Sequence, residues 1–212
     1  MNIFVTGGTG FIGQHVIAAL LAKGHSVQAL IRPGSEKKLP SGCPFIYGDP
    51  LQKDSFARHV PPADTFVHLV GVTHPSPVKA YEFRTIDLAS AQACIKVARE
   101  SGIRHFVYLS VATPAPIMKA YLEARLEGEA LIRASGMNAT FVKPWYVLGP
   151  GRRWPLFIAP IYWVLERIPK SRPAAVRLGF VTIDQIVRAM VSSIETPPQG
   201  IRILDVPAIR KS

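Results

Sequence analysis

The amino-terminal stretch that decides the fold reads Asn2-Ile3-Phe4-Val5-Thr6-Gly7-Gly8-Thr9-Gly10-Phe11-Ile12-Gly13. A short β-branched and aromatic run breaks into glycines three residues apart, and apolar residues then recur at helical spacing, so the glycines fall where a strand becomes a helix. Such a turn offers backbone N–H groups and the positive end of a helix dipole to a pyrophosphate. The stretch therefore predicts a dinucleotide-binding turn, and its expected cofactor-binding residues are Gly7, Thr9, Gly10, Phe11, Ile12 and Gly13.

Short apolar runs alternate with longer helical patterns along most of the chain. The patterns predict strands over 2–6, 26–31, 44–47, 64–70, 103–110 and 139–143, and helices over 11–23, 80–101 and 118–135. This alternation indicates an α/β fold, with a doubly wound, mostly parallel sheet and helices on both faces. We expect one domain over 1–212, to which 150–212 contribute a short carboxyl-terminal substrate lobe.

The composition favours a folded chain and argues against several function classes. Hydrophobic residues make up 48% and charged residues 18%, while 25 basic against 14 acidic residues give a net charge of +11. Nucleic acid is an unlikely partner, because no compact basic run carries interleaved stacking aromatics. Cys43 and Cys94 lack metal-ligand spacing and are expected as free thiols, and no metal site is predicted. We expect no signal peptide or membrane span, and cytoplasmic residence.

The basic residues cluster around one apolar segment, which runs from Arg152-Arg153-Trp154 to Lys170-Ser171-Arg172. Two interpretations remain open for 152–172: an element that covers the cofactor cleft or a subunit contact, and an element that makes peripheral contact with a membrane. The apolar residues surround the predicted helix instead of forming one stripe, which favours burial against protein.

The chain resembles the extended and atypical short-chain dehydrogenase/reductases over roughly residues 1 to 190. The resemblance rests on the Gly-x-x-Gly-x-x-Gly spacing from Gly7 to Gly13, on Tyr121-Leu122-Glu123-Ala124-Arg125, and on Lys143-Pro144-Trp145-Tyr146-Val147-Leu148-Gly149. It implies a Rossmann fold that binds NAD(P). In such a sheet the loops after the strands converge on the ligand, so Val70, Gly71, Pro144 and Tyr146 are also expected beside the cofactor.

The end of the second strand bears on the choice of cofactor. NAD-type sites place an acidic residue there to hold the ribose 2′-hydroxyl, whereas this chain has Arg32, nineteen positions after Gly13 and followed by Lys37 and Lys38. A guanidinium at this position binds a 2′-phosphate, so NADP is the expected cofactor and NAD the alternative. Asp49 resembles the family's adenine-contacting aspartate, and before Pro50 it is also an ordinary turn former.

The resemblance also implies a catalytic set of Ser110, Tyr121 and Arg125. Tyr121 takes the place of the family's general acid or base and Ser110 that of the serine that hydrogen-bonds the reacting oxygen. Arg125 stands where the family has lysine; it keeps the positive charge but cannot relay a proton. As alternatives, Tyr121 is an ordinary helix residue, Ser110 caps or turns the chain, and Arg125 pairs with Glu129.

Two histidines near the fourth strand are further candidates. His68 lies inside an apolar strand and is expected as a core residue, whereas His74 precedes Pro75 in a loop that faces the cleft.

The sequence thus favours an NADP(H)-dependent oxidoreductase that acts on a small carbonyl or hydroxyl compound. A second hypothesis is a cofactor-binding sensor or accessory protein without turnover, similar to the regulators related to NmrA or to the nucleotide-binding accessory subunit of respiratory complex I. An NAD-dependent epimerase or dehydratase is a lesser alternative, because that activity requires a larger substrate lobe.

Overall fold

A computed structural model describes residues 1–151 and 157–212 of the chain. Seven parallel strands form its central sheet, in the order β3-β2-β1-β4-β5-β6-β9. The strands of this sheet are β1 (Asn2–Thr6), β2 (Ser26–Ile31), β3 (Phe45–Tyr47), β4 (Thr65–His68), β5 (His105–Leu109), β6 (Ala139–Val142) and β9 (Ile201–Leu204). This is the predicted α/β fold with a doubly wound parallel sheet.

The helices cover both faces of that sheet. Those that pack on the sheet are α1 (Phe11–Ala22), α3 (Ala89–Glu100), α4 (Lys119–Ala134) and α7 (Ile183–Glu195). The predicted helix over 80–101 begins as a short α2 (Ala80–Glu82), continues as a π-helical turn (Phe83–Leu88), and only then becomes α3. The π-helical turn brings Asp87 into the interior, which the regular helical pattern did not predict.

Strand residues alternate between two differently composed cores, since successive side chains point to opposite faces. On the face covered by α1 and α7 the strands present mainly β-branched residues such as Ile3, Val5 and Val67. On the face covered by α3 and α4 they present aromatic rings, which are Phe4, Phe66, Phe106, Tyr108 and Phe141. The buried sheet explains why the strands read as nearly continuous apolar runs in the sequence.

A second, two-stranded sheet stands apart from the first. Its parallel strands are β7 (Tyr146–Leu148) and β8 (Phe180–Thr182), and between them lie α5 (Ala159–Leu165) and α6 (Arg172–Arg177). Thr182 caps α7 through a capping box with Gln185. The chain then returns to the main sheet at β9 and closes with α8 (Val206–Lys211).

Candidate functional site

The turn between β1 and α1 has the close packing that its glycines predicted. Gly7 has a φ of +77°, and a Cβ on it would lie 2.6 Å from the Leu69 carbonyl carbon. A Cβ on Gly13 would lie 2.7 Å from Gly8 Cα, so only glycine lets α1 begin this close to the turn. No side-chain hydrogen bond caps α1 at Gly10, where the helix begins directly after the turn. The turn therefore fits a pyrophosphate.

The side chain of Arg32 extends into solvent at the carboxyl end of β2. It is exposed, and within residues 1–151 and 157–212 it makes no ion pair. Lys37 and Lys38 follow in the same loop and are also exposed. The carboxylate of Glu36, in the same loop, accepts a hydrogen bond from the Gly34 amide. This loop therefore offers positive charge beside the nucleotide turn.

Asp49 forms a turn at the end of β3. Its Oδ1 accepts the amide hydrogen of Leu51 at 3.0 Å, and its own amide donates to Ser55 Oγ at 2.9 Å. The turn-forming role is thus present in the structure, while contact with adenine stays a prediction.

Arg125 lies beneath the cleft, tied to the ends of two strands. Only 3% of its surface is exposed. Its Nη1 donates to the Leu109 carbonyl at 2.9 Å and its Nη2 to the Val70 carbonyl at 3.2 Å, at the carboxyl ends of β5 and β4. Gly71 has no side chain where the guanidinium passes, and a Cβ there would collide with Nη2.

The charge of Arg125 is balanced by Asp87 and not by Glu129, so the sequence-based pairing was wrong. Asp87 Oδ1 lies 2.7 Å from Nη2, and Asp87 Oδ2 accepts the Val72 amide hydrogen at 2.9 Å. Burial by itself lowers the pKa of Arg125, but Tyr121, Tyr108 and Asp87 outweigh burial and raise that pKa above its usual range. The guanidinium is therefore a permanent positive charge at the base of the cleft.

Tyr121 lies above this charge. Its side chain is half-buried, its ring centre is 5.1 Å from that of Phe83, and the Arg125 guanidinium carbon lies 5.4 Å from it. Tyr121 and Arg125 thus share one face of α4, as their four-residue spacing predicted.

The structure uses the Ser110 hydroxyl differently from the expected contact with a reacting oxygen. Ser110 is 3% exposed, and its Oγ donates to Glu129 Oε1 on α4. Glu129 also pairs with Lys143, whose Nζ lies 2.9 Å from Oε1. These three buried groups join the ends of β5 and β6 to α4, so the hydroxyl hydrogen of Ser110 is engaged within the protein.

The two histidines occupy contrasting environments. His68 is fully buried; its Nδ1 lies 2.8 Å from Thr6 Oγ1 and its Nε2 lies 3.4 Å from Ser90 Oγ, which confirms a core role. Burial, with a smaller contribution from Arg125, lowers the pKa of His68 to about 3. His74 is exposed with a φ of +53°, and its contact with a substrate stays a prediction.

The chain after β6 leads from the cleft to α5. Pro144 is buried, and the ring of Tyr146 stacks on Phe180 at 5.4 Å, while Tyr162 of α5 packs edge-on against both rings. One side of α5 thus packs on the two-stranded sheet, but no residue of α5 is buried and its other side is open to solvent. The expected burial of this segment against protein was therefore wrong, and its covering of the cofactor cleft stays a prediction. Arg152, Arg153 and Trp154 lie outside the described residues.

The sequence did not predict three residues of this site, which are Asp87, Lys143, and Glu129 as the partner of Ser110. A charged residue beside an apolar run is the signal that could have indicated Asp87 and Lys143, whereas Glu129 lies in a helix rich in charged residues and gives no such signal. Among the described residues, no group of three or more His, Cys, Asp or Glu side chains is placed to hold a metal ion. Cys43 and Cys94 are free and buried.

Comparisons with known proteins agree with this geometry. Residues 7–152 match the family described as NAD(P)H-binding. The ceramide reductase of Caulobacter vibrioides is 24% identical over 94% of this chain and 62% of its own length. The 4-hydroxy-2-methyl-3-oxo-4-farnesyl-3,4-dihydroquinoline-1-oxide ketoreductase of Stigmatella aurantiaca is 24% identical over 70% of this chain and 51% of its own length. The chain thus spans between half and two thirds of the length of these two relatives.

A solved structure supports the fold. The Thermus thermophilus UDP-glucose 4-epimerase in complex with NAD superposes with a TM-score of 0.71 and 18% identity, covering 100% of this chain and 81% of that one. At this identity the likeness concerns the fold alone. Together with the family match, it leads to one conclusion: the chain belongs to the NAD(P)H-binding family and has a Rossmann fold.

Proposed function

We propose that this protein is an NADP(H)-dependent oxidoreductase, which reduces a carbonyl compound with NADPH or, in the reverse direction, dehydrogenates the corresponding alcohol with NADP+. The observation that carries the proposal is the position of Tyr121, half-buried at the carboxyl edge of the sheet with the buried guanidinium of Arg125 5.4 Å from its ring centre. The two relatives described above, a reductase and a ketoreductase, support the same reaction class.

Each residue of the site has a distinct role in this reaction. The turn from Gly7 to Gly13 holds the pyrophosphate, and Arg32 contacts the 2′-phosphate of NADP. When bound, the nicotinamide supplies the hydride that adds to the carbonyl carbon. Tyr121 gives its phenolic proton to the carbonyl oxygen, so an alcohol forms. In the reverse direction the phenolate takes that proton back.

Arg125 acts on Tyr121 through its charge and not as a ligand of the ribose. Two of its donors already bind the Val70 and Leu109 carbonyls, and Asp87 pairs with it. The guanidinium carbon lies 5.4 Å from the ring centre of Tyr121, within the range of a cation–π contact, so the charge holds the phenol ring in position at the cleft. We assign Ser110 a structural role through Glu129, which leaves Tyr121 as the catalytic residue of the set.

Two measurements test this proposal. We expect NADPH to bind, by calorimetry, to both the wild type and Tyr121→Phe with dissociation constants within about twofold, because the phenol is not part of the phosphate turn. With a panel of aldehydes and ketones, Tyr121→Phe should lose roughly 100-fold or more in turnover. Tyr81→Phe is the matched control, since Tyr81 is 79% exposed on the short helix α2. Equal turnover of wild type and Tyr121→Phe would refute the role of Tyr121.

A second candidate function is cofactor binding without turnover, as in a redox sensor or an accessory subunit. The engagement of Ser110 by Glu129 and of Arg125 by Asp87 favours it, because both groups are withdrawn from a substrate. Tight NADPH binding with no reduction of any carbonyl in the panel would support this candidate. Epimerisation of a sugar nucleotide is less well supported, since within residues 1–151 and 157–212 the elements beside the main sheet that could form a substrate lobe are the short β7–β8 sheet with α5 and α6.

A further inference from the structure

The exposed large apolar side chains of this protein concentrate on one segment. Five such side chains occur between residues 157 and 168, and each is at least 45% exposed. They are Phe157, Ile161, Trp163, Val164 and Ile168, here called the apolar patch. Phe157, Ile161 and Val164 follow one another at spacings of four and three, so they lie on one side of the helical segment. The opposite side carries Tyr162, which packs on the protein.

Basic residues border this patch. Arg167, Lys170 and Arg172 are exposed beside it. The Arg167 guanidinium carbon lies 3.3 Å from the ring centre of Trp163, and its Nη1 donates to the Trp163 carbonyl at 2.8 Å. The carboxylate of the segment, Glu166, points elsewhere and lies 3.4 Å from Arg210 Nη1. The patch therefore combines apolar area, an interfacial tryptophan and an excess of positive charge.

The patch lies at the edge of the sheet where the cleft opens. Tyr162 on its inner side contacts Tyr146, which follows β6, and Arg177 of α6 donates to the Pro114 carbonyl, which follows β5. The segment that follows β4 and includes α2 exposes two further apolar side chains at the same edge, Val78 at 91% and Tyr81 at 79%. Parallel strands end at one common edge, so these apolar groups share the rim of the cleft.

We propose that this rim adsorbs to the surface of an anionic lipid bilayer, with the apolar patch in the headgroup region and the cleft mouth facing the lipid. Tryptophan and long basic side chains are the groups that favour this interface, because each places an apolar body in lipid and a polar end in water. Anionic lipid complements the net charge of +11. A second copy fits less well, because a two-fold contact would bring Arg167, Lys170 and Arg172 against their own equivalents.

This mode of binding is peripheral. The helices of the described residues are all too short or too polar to cross a bilayer. The three bordering cations should each strengthen binding to anionic vesicles about fivefold.

Flotation with vesicles tests the proposal without cofactor or substrate. The probes are vesicles of phosphatidylcholine with phosphatidylglycerol at 3:1, and vesicles of phosphatidylcholine alone. We expect the wild type to float with the anionic vesicles and to bind the neutral ones at least tenfold less. Ile161→Ser/Val164→Ser and Lys170→Glu/Arg172→Glu should each weaken anionic binding at least tenfold.

Two control variants match these changes in exposure and charge. Ile203→Ser alters an apolar residue that is as exposed as Val164 but lies on the edge strand β9, and Lys96→Glu/Arg99→Glu makes the same charge change on α3. Both control variants should bind anionic vesicles with an affinity within about twofold of that of the wild type. Thermal melts verify that every variant folds. No flotation of the wild type would overturn the proposal, as would an equal loss in the control variants. It would also fail if the patch variants only converted a dimer to a monomer in sedimentation.

Discussion

The buried ion pair beneath the cleft makes the most informative prediction. Arg125→Met removes the two hydrogen bonds to the Val70 and Leu109 carbonyls and leaves the fully buried Asp87 with the Val72 amide as its remaining partner. Removing one partner of a buried ion pair lowers the free energy of unfolding by about 3–5 kcal/mol. We therefore expect the free energy of unfolding to fall by about 4 kcal/mol. Urea unfolding at pH 7, followed by circular dichroism and extrapolated to water, measures this loss.

Two further variants separate the ion pair from general damage. Arg84→Met removes a cation that is 62% exposed and 3.8 Å from Glu127, and it should cost less than about 0.5 kcal/mol. Asp87→Asn/Arg125→Met removes both charges but keeps an acceptor for Val72, so it should recover about 2 kcal/mol of the single-variant loss. If Arg125→Met loses less than about 1 kcal/mol while NADPH binding weakens tenfold, Arg125 is a cofactor ligand and the reasoning is refuted.

Three other predictions follow from the site. Arg32→Glu should raise the NADPH dissociation constant by roughly 10- to 100-fold and change that of NADH less than threefold, as calorimetry measures; equal effects on both would contradict phosphate recognition. Gly13→Ala places a methyl group 2.7 Å from Gly8 Cα, so thermal-shift assays should register no stabilisation by either nucleotide, and a full shift would contradict this. Because the pKa of His68 falls to about 3, this side chain binds fewer protons in the folded than in the unfolded chain between about pH 4 and 5.5, and it contributes a drop in stability there of about 1.4 kcal/mol per unit of decreasing pH. His68→Phe should flatten that slope by the same amount in urea titrations, and an unchanged slope would contradict it.

Much of the fold was predictable because its signals are local. The strand, the glycine turn and α1 are adjacent in the chain, and steric limits on Gly7 and Gly13 act between near neighbours or the next strand. The predicted strand over 64–70 was longer than β4, since Leu69 to Gly71 leave the sheet to reach the cleft. The pairing of Tyr121 with Arg125 on one face also follows from helical geometry alone.

Which charged side chains pair in the site was decided by the tertiary structure and could not be predicted from the sequence. The four-residue spacing predicted an ion pair between Arg125 and Glu129. In the structure Arg125 pairs instead with Asp87 of the π-helical turn, which is distant in the chain, and Glu129 pairs with Lys143 at the end of β6. Glu129 also accepts the hydroxyl hydrogen of Ser110. Likewise, the periodicity of the segment after Gly149 could not say which of its sides meets protein, because only the packing of Tyr162 on Tyr146 and Phe180 decides that. Sequence patterns record which positions are apolar and at what period; which charges meet is set by the packing of helices on the sheet.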